Sequence, residues 1–241
     1  MENHELELIT DLFGRNPRQG PGSDTATKKA LDLTVIDLNE TLNILDVGCG
    51  AGAQTMALAR FTKGSITAVD LSEHLLKILE RKVSDQGLAD QVKILATSMD
   101  QLPFKGKETF DLIWSEGAIY NIGFEKGIRY LKSFLKPSGF IVLSEISWLD
   151  NNRPEALEKY WNDYYPGIDT ISGNIGKLEK HGYTPTAHFI LPDECWTKEF
   201  YDPLQKVIPE FLEQHHNDPL AASLIESELK ELQLYKTYKD H

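Results

Sequence analysis

Ile44-Leu45-Asp46-Val47-Gly48-Cys49-Gly50-Ala51-Gly52 is an apolar run that breaks into a glycine-rich turn, with a helical pattern opening near Gln54. A strand feeding such a turn and then a helix is how a parallel β-α-β unit begins. Glycines at 48, 50 and 52 remove side chains and permit positive φ, so a ligand can lie against bare peptide at the carboxyl end of the strand. The alternative is a tight strand-to-helix turn without a ligand, for which so many glycines are more than the geometry needs.

Outward from that stretch, Ser65–Val69, Val92–Ala96, Phe110–Trp114 and Gly139–Ile146 repeat the β-type pattern, separated by helical spans such as Gln54–Phe61 and His74–Gln86. Strands alternating with helices make a parallel sheet with crossover connections. Ile44, Leu45 and Val47, and the run Phe140-Ile141-Val142-Leu143, are apolar without alternation, as strands covered on both faces must be. The expected fold class is therefore α/β, a doubly wound, mostly parallel sheet. Before it, Asn16–Gly22 is a loop rich in Pro and Gly, and Ser23 is placed to cap a helix through Leu38. After it, Trp148–Gly182 reads as an insertion over the strand ends, Thr184–Leu191 as a weaker strand, and Lys198–Gln214 and Leu220–Leu234 as helices. One domain over residues 1–241 is expected, with N-terminal helices and a lid at 1–40, a core at 41–147, a substrate cap at 148–183 and a C-terminal strand and helices at 184–241.

The chain has 241 residues, 41% hydrophobic and 26% charged, as an ordinary globular domain does. Lys and Arg number 25 against 37 Asp and Glu, so the formal charge is 25 − 37 = −12. That balance opposes attraction to nucleic acid or an anionic membrane, and neither is expected as a partner. Acid crowds the stretch Pro192–Leu234, which reads as a solvated face. Cys49 and Cys195 have no His or Cys at metal-ligand spacing, so a reducing compartment and no metal site are expected. Met1-Glu2-Asn3-His4-Glu5 has neither a basic nor an apolar leader, and no run approaches the roughly 20 apolar residues of a membrane span. A cytoplasmic location is expected.

Gly48, Gly50 and Ala53 also satisfy the dinucleotide pattern G-x-G-x-x-G/A, and Asp70 ends the second strand 70 − 50 = 20 residues past the middle glycine. A carboxylate there suits the two hydroxyls of an adenosine ribose. The glycines and Asp70 alone leave a NAD-dependent oxidoreductase open.

The further motifs narrow the choice. Asp46-Val47-Gly48-Cys49-Gly50-Ala51-Gly52, Val69-Asp70-Leu71-Ser72, Thr97-Ser98-Met99-Asp100-Gln101-Leu102-Pro103-Phe104, Phe110-Asp111-Leu112-Ile113-Trp114-Ser115 and Leu131–Phe140 follow one another in an order that resembles the class I S-adenosylmethionine-dependent methyltransferases of the small-molecule, UbiE-like type. The resemblance covers about residues 40–146 and implies a Rossmann-like fold, S-adenosylmethionine as methyl donor and S-adenosylhomocysteine as product. It implies that Gly48, Cys49 and Gly50 line the methionine part of the cofactor and that Asp46 helps fix its ammonium, directly or through water. It puts Asp70 and Leu71 at the ribose, Ser98, Met99 and Asp100 at the adenine, and Ser115 beside the methyl group. Members of the family usually close the sheet with a sixth parallel and a seventh antiparallel strand. Only Leu234-Tyr235-Lys236-Thr237-Tyr238 could supply the seventh here, and its polarity leaves open the sheet edge and any homodimer built on it.

Methyl transfer to a hydroxyl or an ammonium also needs a proton removed. Glu116 is the leading candidate base, or else a carboxylate that holds the lid or the substrate, and Glu145 could reach the same space. Tyr120, Trp148 and Tyr164 are candidate acceptor contacts. Tyr160, Trp161, Tyr164 and Tyr165 share one side of a helix, either as an aromatic wall for an apolar or cationic acceptor or as packing for the insertion. The D/N-P-P-Y motif of enzymes acting on exocyclic base nitrogens is replaced by Ser115-Glu116-Gly117-Ala118, which with the acidic charge favours a small-molecule acceptor. A non-catalytic sensor of the same cofactor is the other reading.

Overall fold

The computed structural model describes residues 3–104 and 109–241; Met1 and Glu2 of the N-terminal stretch read above lie outside them. Five strands, β1 (Thr41–Val47), β2 (Lys63–Asp70), β3 (Val92–Ala96), β4 (Phe110–Glu116) and β5 (Leu135–Ser144), form one sheet in the order β3-β2-β1-β4-β5. Every neighbouring pair is parallel, with Ile44 opposite both Ile66 and Leu112. The chain runs one way from β1 to β3 and the other way from β4 to β5. The carboxyl ends of β1 and β4 therefore flank the switch point where open α/β sheets bind ligands.

Side chains alternate across each strand, so both faces of the sheet gather a core. Ile44, Leu112 and Trp114 pack with Leu76 and Leu79 of α4 (Glu73–Asp85) and Met56 and Leu58 of α3 (Ala53–Phe61). Leu45, Val47 and Ile113 pack on the opposite face with Phe124, Ile128 and Leu131 of α5 (Phe124–Leu131). A third core is remote in sequence: Leu8 and Leu12 of α1 (Asn3–Gly14) bury against Phe200, Tyr201 and Phe211, and against Ile225 and Leu232.

The N-terminal cap reading holds, since the Ser23 hydroxyl accepts from Ala26 N, but α2 (Asp24–Asp32) stops short of Leu38. The backbone reverses there through Val35 at φ +55°. The insertion comprises β6 (Ser147–Trp148), α6 (Glu155–Tyr164), β7 (Asp169–Thr170) and α7 (Ile171–Lys180), with β6 and β7 pairing as a separate short ladder.

Two expectations are corrected. Thr184–Leu191 joins no ladder. Pro185 has no N–H to give, and Phe189 instead lies under the Lys29 ammonium, 4.2 Å from it. Leu234–Tyr238 is the end of a helix, following α8 (Asp193–Trp196) and α9 (Asp202–Gln214) as α10 (Pro219–Tyr238). Ala221, Ile225, Leu232 and Tyr235 recur at helical spacing, and Tyr235 stacks on Trp196 with ring centres 4.8 Å apart. Among the described residues no helix is long and apolar enough to cross a membrane.

Candidate active site

The turn after β1 is drawn across β2: Gly48 N and Cys49 N donate to Val69 O at 2.8 and 3.0 Å. Asp70 then ties the turn to its own loop. One carboxylate oxygen accepts from Gly50 N at 2.9 Å and the other from Ser72 N at 2.8 Å, which leaves each oxygen lone-pair capacity for a ligand. Gly48 sits at φ +70°, and a Cβ there would lie 2.3 Å from the Ala118 Cβ and 3.3 Å from the Met99 methyl. Gly52, at φ +79°, heads α3 with Leu79 pressed so close that an added Cβ would meet it at 2.2 Å. The glycines therefore give both a bare peptide wall and close helix packing. Cys49 is buried, and desolvation pushes its thiol well above the ordinary range.

Asp46 lies behind this wall, fully buried. It accepts from the Thr55 hydroxyl at 2.5 Å and from Gln54 Nε2 at 3.4 Å, and burial pushes its carboxyl up to about 7. Its observed partners are the start of α3, so it braces the turn from behind, off the cavity surface. Ser98 and Met99 line the cavity, whereas Asp100 is turned to Lys126 Nζ at 2.7 Å and the Ser98 hydroxyl at 2.7 Å. Those contacts hold the Asp100 carboxyl below its ordinary value, the lysine first. Ser115 is fully buried with its hydroxyl unpartnered, because Trp114 and Glu116 occupy the cavity side of β4 and its side chain takes the opposite face.

Glu116 does reach the cavity, but its oxygens are committed. One accepts from the Thr27 hydroxyl at 2.8 Å and Trp114 Nε1 at 2.9 Å, and the other pairs with Arg18 at 3.2 Å. Arg18, 6% exposed, also pairs with Asp24. Beside it, the Gln19 carbonyl accepts from Ala51 N at 2.7 Å while its amide donates to Phe13 O and Asn16 O. Arg18 and Gln19 are legible in the sequence only as part of a loop that is either a lid or a connector, and the roles of Thr27 in α2 and of Gln54 and Thr55 in α3 are not foreseen there.

The cavity, of about 1930 Å³, runs from the glycine turn past Tyr120 to the insertion and α10. Tyr120 and Tyr164 retain free surface, whereas Trp148 is buried beneath the Arg153 guanidinium. Tyr165 donates to Glu145 at 2.6 Å. The acidic late stretch is only partly a solvated face, since Glu228 and Glu231 turn inward onto the cavity. Glu231 accepts from Tyr160 and Tyr201, each at 2.9 Å. Burial raises Glu145 to about 7, and burial with the charge of Glu231 raises Glu228 to about 8. Both folded-state values exceed the ordinary 4.5, so the stability these groups contribute is full below that value and is lost as pH rises through about 7 and about 8. Stability is expected to fall between about pH 4.5 and about pH 8, by up to roughly 1.4 kcal/mol per group per pH unit, and the melting temperature with it, with a shallower fall in Glu228→Gln. Calorimetric melts across that range check it.

A family model described as a methyltransferase domain matches residues 44–139. The chain is 32% identical over 161 residues to the demethylmenaquinone methyltransferase of Bacillus subtilis (strain 168), covering 65% of this chain and 66% of that protein. It is 29% identical over 151 residues to the demethylmenaquinone methyltransferase of Lactiplantibacillus plantarum, covering 61% of each. The chain thus spans less than two thirds of these relatives' own lengths. In fold it is similar to a SAM-dependent methyltransferase from Geobacter sulfurreducens solved with S-adenosyl-L-homocysteine, at TM-score 0.78 and 17% identity, covering 97% of this chain and 93% of that one. With the five motifs in family order on a sheet of this topology, residues 44–139 match a methyltransferase domain, and the chain is similar to class I S-adenosylmethionine-dependent methyltransferases.

Proposed function

We propose that the chain transfers a methyl group from S-adenosylmethionine to a small-molecule acceptor. The observation that carries this is continuity: the bare wall at Gly48 and Gly50, the Asp70 carboxylate and the ring-lined chamber beyond Glu116 share one cavity, large enough for donor and acceptor together. The residues present fit the donor. Gly48, Cys49 and Gly50 would receive its methionine portion, Asp70 and Leu71 its ribose, and Ser98 and Met99 its adenine. When bound, the donor supplies a methyl on a positive sulfur, which the acceptor's electron pair takes as the carbon–sulfur pair leaves with sulfur.

The chain's own task is to hold the acceptor in line and keep water out. Glu116, held by three donors of which one is the Arg18 guanidinium, acts as a positioning residue that fastens the N-terminal segment over the turn. Residues 16–22 close the donor end, and Trp148, Tyr164 and Tyr120 border the acceptor end. The net charge of −12 supports an acceptor other than a nucleic acid.

Calorimetric titration tests the donor assignment. S-adenosylhomocysteine is expected to bind with one site per chain and NAD to give no heat; binding of NAD alone would place the chain with the oxidoreductases. A mass increase of one methyl on an acceptor, with none on controls lacking donor, separates transfer from sensing.

A further inference from the structure

Beyond Tyr120 the cavity becomes a chamber of rings and carboxyls. Tyr160 and Tyr164 stand 4.5 Å apart, Trp161 meets Tyr160 edge-on at 5.2 Å, and Tyr120 and Tyr165 are 5.6 Å apart. Glu145, Glu228 and Glu231 face the same space. The Tyr120 phenol is raised by burial and by the charges of all three.

Their partners decide what the chamber lacks. Glu231 has two tyrosine hydroxyls, Glu145 has one on a single oxygen while its other oxygen is shut off and unpartnered, and Glu228 accepts no hydrogen bond among the described residues. The cations on the cavity wall are already spoken for. Arg18 pairs with Glu116 and Asp24, Lys136 with Asp111, and Lys239 with Asp193, while Lys132 donates to the His181 and Gly182 carbonyls. Lys177, whose charge acts on Glu145, is paired with Asp169 at 2.9 Å. Lys230 lies over the Tyr160 ring at 5.4 Å, so that ring already draws a cation.

Aromatic faces attract organic cations, and a buried carboxyl without a cation is completed by one. With Glu145 and Glu228 raised to about 7 and about 8, an ammonium ion draws both carboxyls to the charged form near neutral pH, whereas an anionic acceptor opposes that ionisation and a neutral one leaves Glu228 without a charge partner. We propose that the acceptor is an organic amine, bound as its ammonium ion against the exposed rings of Tyr120 and Tyr164 and the carboxylate of Glu228, with the charge of the enclosed Glu145 adding to the attraction. The assignment rests on the methyl-transfer reading of the same cavity. An ammonium nitrogen has no free pair, so one of its protons must leave before it can act. Glu228, free of internal donors, is the group in the chamber that takes it.

Choline and its neutral carbon isostere, dimethylbutanol, differ only in charge at the quaternary centre. Titrated calorimetrically into the whole chain at about pH 8, choline is expected to bind about tenfold more tightly or better than the isostere. Glu145→Gln and Glu228→Gln, singly, are expected to cut choline binding several-fold while S-adenosylhomocysteine binds as in the parent chain, which also shows that the variants fold. S-adenosylhomocysteine binding with equal affinity for choline and the isostere overturns the amine assignment and leaves methyl transfer standing. Choline preference without S-adenosylhomocysteine binding overturns methyl transfer, and with it the amine as acceptor, while the ammonium site remains.

Discussion

Asp70→Ala is expected to weaken S-adenosylhomocysteine binding by about 2–4 kcal/mol, roughly thirty- to several-hundredfold in dissociation constant. Two charge-assisted hydrogen bonds to the ribose, as proposed for Asp70, would account for that range. The carboxylate also holds Gly50 N and Ser72 N, so its loss frees the turn that forms the donor wall, at about 1 kcal/mol of stability for each bond. Asp70→Asn keeps one oxygen acceptor and is expected to fall between parent and alanine variant. Titration calorimetry reads the affinities and urea unfolding the stability; a change below twofold for the alanine variant contradicts the ribose role.

Arg18→Ala is expected to destabilise the chain by about 3 kcal/mol, the low end for breaking a buried ion pair. The Arg18 and Glu116 side chains are 8% and 14% exposed, so removal of the guanidinium leaves a poorly solvated carboxylate with only the Thr27 and Trp114 donors. The pair borders the cavity and is not fully enclosed, which keeps the loss from the upper end. S-adenosylhomocysteine should also bind more weakly, since residues 16–22 lose their anchor. Adding Glu116→Gln should recover part of the stability but not the binding. A loss below about 0.5 kcal/mol in urea unfolding would mark the pair as no stronger than a surface one.

What was legible in the sequence depended on how local the signal was. The strand, turn and helix around Gly48 and the carboxylate at Asp70 are set by neighbouring residues, and both lie where the pattern put them. Thr184–Leu191 misled because its β-type residues outweighed the missing donor at Pro185, and whether a strand finds a ladder is settled only by what lies beside it. Leu234–Tyr238 looks polar along the chain, yet its apolar members fall on one face of α10. The site was harder. Arg18 meets Glu116 across 98 positions and Gln19 meets Ala51 across 32, and no spacing rule spans such separations. Glu228 and Glu231 read as solvated acid because a helix shows which face is buried only through apolar neighbours, and their neighbours across the cavity are tyrosines from α6 and the turn before α9.

The third core has a bearing on how the molecule is assembled. Leu8 and Leu12 find no burial in their own part of the chain; their partners are Phe200, Tyr201, Phe211, Ile225 and Leu232. During synthesis the first helix is made before any of these, and contacts so distant in sequence close late because a long loop must be ordered first. The sheet and its glycine turn can form while α1 is still unpacked. Asn16 reaches the Phe200 carbonyl from the end of that helix, so Arg18 and Gln19 acquire their seats only once the two ends of the chain have met. The cover over the glycine turn therefore docks only after the segment through α10 has been made.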